Sequence, residues 1–275
     1  MRRSDPMKKS YWQQKVVLVT GGSSGLGLEI ASAFAENGAR VILVGLEKEA
    51  VEETVRTFRE KELDVTGFQA NICLDEDVER LRSEITARFG RLDVLANVAG
   101  RTDRGKMLQC DAGHFAKTME LNFIALVRVT HTFLPMLLES RGHIINIGSL
   151  ASKSASRWTG AYPASKHAVA AYSQQLRLEH KQDGLKVLLV CPGPIQRETE
   201  RLYPLEGLED LPESARRPGA GVKVSRISPQ MLVSAILNAS EKGKVELVLP
   251  KKARLLFIIS QICPKLGDWL VLKNT

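Results

Sequence analysis

Hydrophobic positions along the chain fall into two textures. Short apolar runs rich in β-branched residues recur at Val16–Thr20, Arg40–Gly45, Val65–Ala70, Leu92–Asn97, His143–Gly148, Lys186–Cys191 and Val245–Leu249, and they predict seven strands. Between them lie amphipathic segments of helical spacing: Leu26–Asn37, Lys48–Lys61, Asp75–Phe89, Gly113–Glu139, Gly160–Lys181 and Pro229–Glu241. Asn37-Gly38 is a good stop for the first helix, because both residues tolerate the left-handed conformation. Strands nearly continuous in apolar residues, alternating with helices, belong to a parallel sheet covered on both faces, since parallel strands need crossovers and right-handed crossovers place helices there. The pattern predicts a doubly wound α/β fold with a seven-stranded parallel sheet. With no repeat and no low-complexity linker, a single domain is expected over residues 1–275.

One segment breaks the texture. Pro192–Ser225 is long and charged and carries Pro194, Pro204, Pro212 and Pro218 with several glycines, as functional loops inside compact domains do.

Composition sharpens this picture modestly. Apolar residues at 44% and aromatic residues at only 5% suit a core built of Val, Ile, Leu and Ala. The net charge of +8 arises from 39 basic and 31 acidic residues spread along the chain, which argues against a nucleic-acid arm and for a solvated surface. Cys73, Cys110, Cys191 and Cys263 show no CxxC spacing, so free thiols are expected, with neither a disulfide framework nor a zinc site. The five histidines are scattered, and no metal is expected. Met1 to Lys15 is polar and charged, without the apolar stretch of a signal peptide, so the expected location is cytoplasmic.

Two motifs carry chemistry. The first strand runs into Thr20-Gly21-Gly22-Ser23-Ser24-Gly25-Leu26-Gly27 and directly into a helix. There Gly21 permits a tight turn, Gly25 lets the backbone approach a pyrophosphate, Gly27 lets helix and strand pack closely, and the helix N-terminus faces the anion. Further on, Tyr162-Pro163-Ala164-Ser165-Lys166 puts a phenol and an ammonium four residues apart on one helical face. A tyrosine hydroxyl has an ordinary pKa near 10, and a neighbouring cation favours its phenolate, so the pair suits a proton carrier.

The TGxxxGxG spacing of the loop resembles that of the short-chain dehydrogenase/reductase family. Asn97-Val98-Ala99-Gly100 is similar to the family's NNAG element, with Val98 in place of the second Asn, and Cys191-Pro192-Gly193-Pro194-Ile195 resembles its PG element. Ser149, thirteen positions before Tyr162, stands where the family has its catalytic serine, and Asn122 matches a fourth member that holds a water joining the lysine to solvent. The resemblance covers about residues 15 to 195 closely.

It implies a catalytic set of Asn122, Ser149, Tyr162 and Lys166, with Tyr162 protonating or deprotonating the oxygen of a ketone or secondary alcohol. Ser149 would orient that oxygen, and Lys166 would also bind the nicotinamide ribose. The same resemblance assigns a dinucleotide to Gly21, Ser23, Ser24, Gly25, Leu26, Gly27, Leu46, Asn71, Ile72, Asn97, Ala99, Gly100, Tyr162, Lys166, Pro192, Gly193 and Ile195.

Asn71 stands where the family usually has an adenine-contacting Asp. At the end of the second strand Gly45 replaces the acid of NAD-dependent members, and Leu46 the Arg of many NADP-dependent ones. Without the acid there is no repulsion against a 2′-phosphate, and Lys48 or Arg40 would approach it. NADP(H) is therefore favoured, with NAD(H) left open.

Specificity is expected from a substrate loop, 195–228, and from Arg101–Asp111. The C-terminal extension, 250–275, is apolar around Leu255–Ile259 and Trp269–Leu272 and is flanked by Lys251, Lys252 and Arg254. Its apolar stretch before Pro264 is far shorter than the roughly 20 residues a spanning helix requires. Two roles stay open for it: packing over the pocket or a subunit partner, and lying on a membrane surface. The pattern is similar to that of relatives acting on steroids and acyl chains, which implies an apolar substrate. The resemblance also implies a homodimer or homotetramer through the helices of Gly113–Glu139 and Gly160–Lys181. A catalytically silent dinucleotide-binding sensor or scaffold is the rival class, and a sugar-nucleotide epimerase would need a larger substrate domain.

Overall fold

A computed structural model describes residues 10–196, 211–212, 215 and 224–273. Seven strands, β1 (Val16–Thr20), β2 (Arg40–Gly45), β3 (Val65–Gln69), β4 (Val94–Asn97), β5 (His143–Ile147), β6 (Lys186–Pro192) and β7 (Glu246–Leu249), form one parallel sheet in the order β3-β2-β1-β4-β5-β6-β7. The order reverses between β1 and β4, and a crevice opens at the strand ends there, where doubly wound sheets bind ligands.

Helices α1 (Gly25–Glu36), α2 (Lys48–Glu60), α3 (Asp75–Phe89), α4 (Ala112–Met119), α5 (Ala125–Glu139), α6 (Tyr162–Glu179) and α7 (Pro229–Glu241) cover both faces. The pleat explains how one strand serves two cores. Val17 and Val19 of β1 join Ile30 and Phe34 of α1 and Ile236 of α7, while Val16 and Leu18 point the other way to Leu81 of α3 and Phe133 of α5. At about 1.5–3 kcal/mol for each buried aliphatic or aromatic side chain, these two layers dominate the stability of the fold.

The structure departs from the expected helices in three places. The single helix expected over Gly113–Glu139 is interrupted by a π turn at Glu120–Ile124, which re-phases the backbone ladder around Asn122. Asp111 caps its start by accepting the His114 N–H at 2.7 Å. The sixth helix begins at Tyr162 and not at Gly160, because Gly160 is left-handed at φ +50. After β7 the apolar extension is two helices, α8 (Ala253–Ile262) and α9 (Pro264–Lys273), divided at Pro264. They pack so closely that a Cβ on Gly267 would lie 2.4 Å from Ser260 Oγ.

The stretch Ala112–Glu139 is long and apolar enough to cross a membrane by length and composition. Here Ala125, Val129, Phe133 and Leu137 are buried against the sheet, so its apolarity is spent on the core.

Candidate active site

The site starts where β1 ends. Thr20 Oγ1 accepts the N–H groups of Val98 (3.0 Å) and Ala99 (3.2 Å), fastening the loop after β4 to the glycine loop. A Cβ on Gly27 would lie 2.0 Å from the Gly21 carbonyl oxygen, so close helix–strand packing admits only glycine there. Gly25 is a different case: it is left-handed at φ +51 and nothing lies within 4 Å of where its Cβ would be. Ser24, the N-cap of α1, makes no side-chain cap bond, and the first turn of α1 holds no acid. Free N–H groups and the positive end of the helix dipole thus face open space, a cradle shaped for an anion.

Outside this loop the dinucleotide residues named from sequence are spread over several surroundings. Leu46 is exposed beyond β2, and Ile72 is buried beyond β3. Asn71 closes a tight turn, its Oδ1 accepting the Cys73 N–H at 3.0 Å, while its own N–H donates to Asp77 Oδ2 at 2.7 Å. Asn97 is turned into the protein: its Nδ2 donates to Thr130 Oγ1 (3.0 Å) and Asn146 Oδ1 (2.9 Å), tying β4 to β5 and α5 beneath the loop. Ala99 packs under Gly21.

One expectation is corrected. Arg40 opens β2, and at about 3.3 Å per residue it lies roughly 16 Å from Gly45, at the wrong end of the sheet for a 2′-phosphate. It pairs instead with Asp64 at 3.3 Å and stacks over Phe89. Lys48, loosely paired with Glu52 at 3.8 Å, stays at the correct end. A Cβ on Gly45 would lie 2.6 Å from Ser23 Oγ, so that hydroxyl fills the space an acid would take.

Beside the glycine loop opens a cavity of about 1050 Å³ whose wall brings together Leu26, Gly100, Ser149, Tyr162, Lys166, Pro192, Gly193 and Ile195. Leu256 and Phe257 of α8 and Val271 of α9 form another part of the wall, so the C-terminal helices pack over the pocket. Most of the expected substrate loop, 195–228, lies outside the described residues.

Within this cavity Lys166 is 5% exposed, and its Nζ donates to the Ile147 carbonyl at 2.8 Å. Burial pushes its pKa down to about 8, the neighbouring Cys191 thiol acting in the opposite direction. Its Nζ lies 5.8 Å from the centroid of the Tyr162 ring. Ser149 caps the short 3₁₀ turn Leu150–Ser152: its Oγ accepts the Ala151 N–H at 3.1 Å, and its N–H donates to Ser152 Oγ at 3.0 Å. A hydroxyl in that role keeps its proton to offer to a substrate oxygen.

Asn122 sits behind this group in the π turn, its Oδ1 accepting the Arg101 N–H at 2.7 Å and its Nδ2 donating to the Arg101 carbonyl (2.9 Å) and Ser165 Oγ (3.1 Å). Gly100 makes room for this packing, since a Cβ there would lie 3.0 Å from Asn122 Oδ1 and 3.6 Å from Lys166 Nζ.

Sequence reasoning missed Asp103. Its Oδ2 accepts the Ala161 N–H at 2.8 Å and lies 2.7 Å from His114 Nε2, so one carboxylate clasps the entry to α6 and the side of α4. Gly160 is the faint signal of it, because a Cβ there would lie 2.2 Å from that oxygen.

A glycine loop at a sheet reversal beside a Ser, Tyr and Lys cluster defines a dinucleotide-type α/β site, and comparison with known proteins gives the family. The short chain dehydrogenase family model matches residues 15–204. The dehydrogenase/reductase SDR family member 7B of Danio rerio is 36% identical over 191 residues, which is 67% of this chain and 62% of the relative's length. A short-chain dehydrogenase structure from Streptomyces avermitilis superposes with a TM-score of 0.76 at 27% identity, covering 95% of this chain and 98% of that one. The actinorhodin polyketide ketoreductase, solved with NADPH, gives 0.73 at 25% identity over 87% and 97%. The chain belongs to the short-chain dehydrogenase family of oxidoreductases.

Proposed function

We propose that this chain is an NAD(P)(H)-dependent oxidoreductase that interconverts a ketone and a secondary alcohol, favours NADP(H), and takes an apolar or acyl-chain substrate. What carries the proposal is Lys166, a buried cation held by Ile147 in the cavity wall that also presents Tyr162 and Ser149. Burying a charge is costly, and a side chain of purely structural use there would be apolar.

The glycine loop, with Gly25 open and α1 uncapped, would hold the pyrophosphate, and Gly193 and Ile195 would flank the nicotinamide. A bound nicotinamide supplies or accepts the hydride at the substrate carbon. Ser149 donates its hydroxyl proton to the substrate oxygen and fixes its position. Tyr162 gives that oxygen a proton in reduction and takes it back in oxidation, and the Lys166 ammonium stabilises the phenolate left behind. Asn122 positions the Arg101 backbone and Ser165, the residue before the lysine.

Leu150, Ile195, Met231, Leu256 and Phe257 in the wall support an apolar substrate, as does the ketoreductase likeness. NADP(H) is favoured by the absence of an acid at Gly45, the Ser23 hydroxyl beside it and the nearby Lys48.

The outer face of α8 and α9 exposes Leu255, Ile258, Ile262, Leu266, Trp269 and Leu272, among Lys251, Lys252, Arg254, Lys265 and Lys273. That combination suits peripheral contact with an anionic membrane from the cytoplasmic side. Pairing of α5 and α6 between copies would give the expected dimer or tetramer.

The test is fluorescence titration with NADPH and NADH on wild type and Tyr162→Phe, followed by a ketone panel. NADPH binding by both, with turnover only in wild type, is the expected result. Binding without turnover in wild type would make the protein a dinucleotide sensor, and no binding of either cofactor would end the proposal.

A further inference from the structure

Three donors of different chemistry converge beside the entry to α6. Asp103 comes from the loop after β4, Cys110 from the residue before the α4 cap, and His114 from the first turn of α4. Their carboxylate, thiol and imidazole ligand atoms all lie within 4.8 Å of one another.

The convergence is built into the backbone. Gly105 is forced by the thiol, since a Cβ there would lie 2.8 Å from Cys110 Sγ, and left-handed Gly160 is forced by the carboxylate at 2.2 Å. The two segments holding these glycines are bridged, Gly105 N–H donating to the Trp158 carbonyl at 3.2 Å. The Asp103–His114 hydrogen bond accounts for two members of the cluster, but it needs neither the sulfur nor the gap that Gly105 leaves for it.

We propose that Asp103, Cys110 and His114 form a binding site for a zinc-type divalent cation, with water as the fourth ligand. Thiolate, imidazole and carboxylate together are a borderline-soft set that suits Zn²⁺ above Mg²⁺ or Ca²⁺. Bonds of about 2.0–2.3 Å hold tetrahedral ligand atoms roughly 3.3–3.8 Å apart. The 2.7 Å His114–Asp103 separation then opens by about half an ångström, and the widest pair, no more than 4.8 Å apart, closes by roughly an ångström at most. Side-chain rotation supplies both.

Asp103 is already oriented by the N–H groups of Ala161 and Arg104, the outer-shell support that carboxylate ligands use. The His114 side chain is 36% exposed, which gives water and the ion a way in from that side. Filled, the site would clamp the Arg101–Asp111 loop to α4 and to Ala161, one residue before Tyr162. It is independent of the redox proposal.

The test uses the full chain freed of metal by chelator and titrated with Co²⁺, followed by displacement with Zn²⁺. One equivalent should bind with a sulfur-to-cobalt charge-transfer band in the near ultraviolet. That band should vanish in Cys110→Ser, persist in Cys263→Ser, and need at least about tenfold more cobalt in His114→Ala. Absence of binding in wild type, or a band that survives Cys110→Ser, would overturn the site. Because the readout is spectroscopic, it stands or falls apart from turnover.

Discussion

Lys166 Nζ donates to the Ile147 carbonyl at 2.8 Å, so the last carbonyl of β5 holds the cation that faces Tyr162. A strand end is a rigid mount for the ammonium. The arrangement costs stability, because the folded state buries a charge that the unfolded chain keeps in water.

That cost has a pH signature. The folded pKa is about 8 against an ordinary 10.5, so between those values the unfolded chain holds a proton that the native state has lost. This contribution to stability is present above about pH 10.5 and lost as pH falls through about 8. Thermal denaturation of wild type and Lys166→Met should show wild type gaining on the variant from about pH 8 to 10.5, with a constant difference below. A flat difference across that window would mean the lysine is not desolvated. Turnover in Lys166→Met should fall by about 10² or more.

Gly25 and Gly27 should separate binding from folding. Gly27→Ala forces a Cβ to 2.0 Å from a backbone oxygen and should lower stability by at least about 1–3 kcal/mol. Gly25→Ala meets no atom and should cost only about 1–2 kcal/mol of left-handed strain, yet raise the NADPH Kd about tenfold or more by filling the cradle. Denaturant melts and fluorescence titrations of both variants decide it, and equal behaviour would refute the division.

Gly45→Asp brings a carboxylate toward the ribose 2′ position once Ser23 Oγ and Val51 Cγ2, each 2.6 Å from the added Cβ, move aside. The NADPH Kd should rise about tenfold while that for NADH holds or falls. An unchanged ratio would place the 2′-phosphate elsewhere.

Trp269→Glu puts a charge on the exposed face of α9. Sedimentation with vesicles containing anionic lipid should show strong binding by wild type, weaker binding in higher salt, and several-fold loss in the variant at an unchanged melting temperature. Equal binding by both proteins would remove this face from membrane contact.

The strands were legible because buried parallel strands such as Val16–Thr20 and Arg40–Gly45 leave unbroken apolar runs. The catalytic candidates were legible because their spacing survives translation into a helix and a strand end. Arg40 was misjudged since nearness in sequence to Gly45 ignores the extended rise of a strand, which carries the two to opposite ends of the sheet. The Asp103, Cys110 and His114 cluster was invisible because its spacing matches no ligand motif, and a loop pinned across the chain by Gly105 and Thr159 creates it. The π turn at Asn122 leaves no trace in hydrophobic period, since it shifts the ladder by a single residue.

The capping bond of Ser149 also sets a polarity on the cavity wall. With its Oγ engaged by the Ala151 N–H, the hydroxyl meets a ligand as a giver of a proton, and the ammonium of Lys166 is a giver as well. An oxygen with lone pairs can accept from both, whereas an iminium or an ammonium has no lone pair to accept either proton and can use only the remaining lone pair of Ser149 Oγ. The cavity wall thereby favours ligands that accept hydrogen bonds, and on the proposed function cationic nitrogen analogues of a ketone should bind this protein more weakly than the ketone.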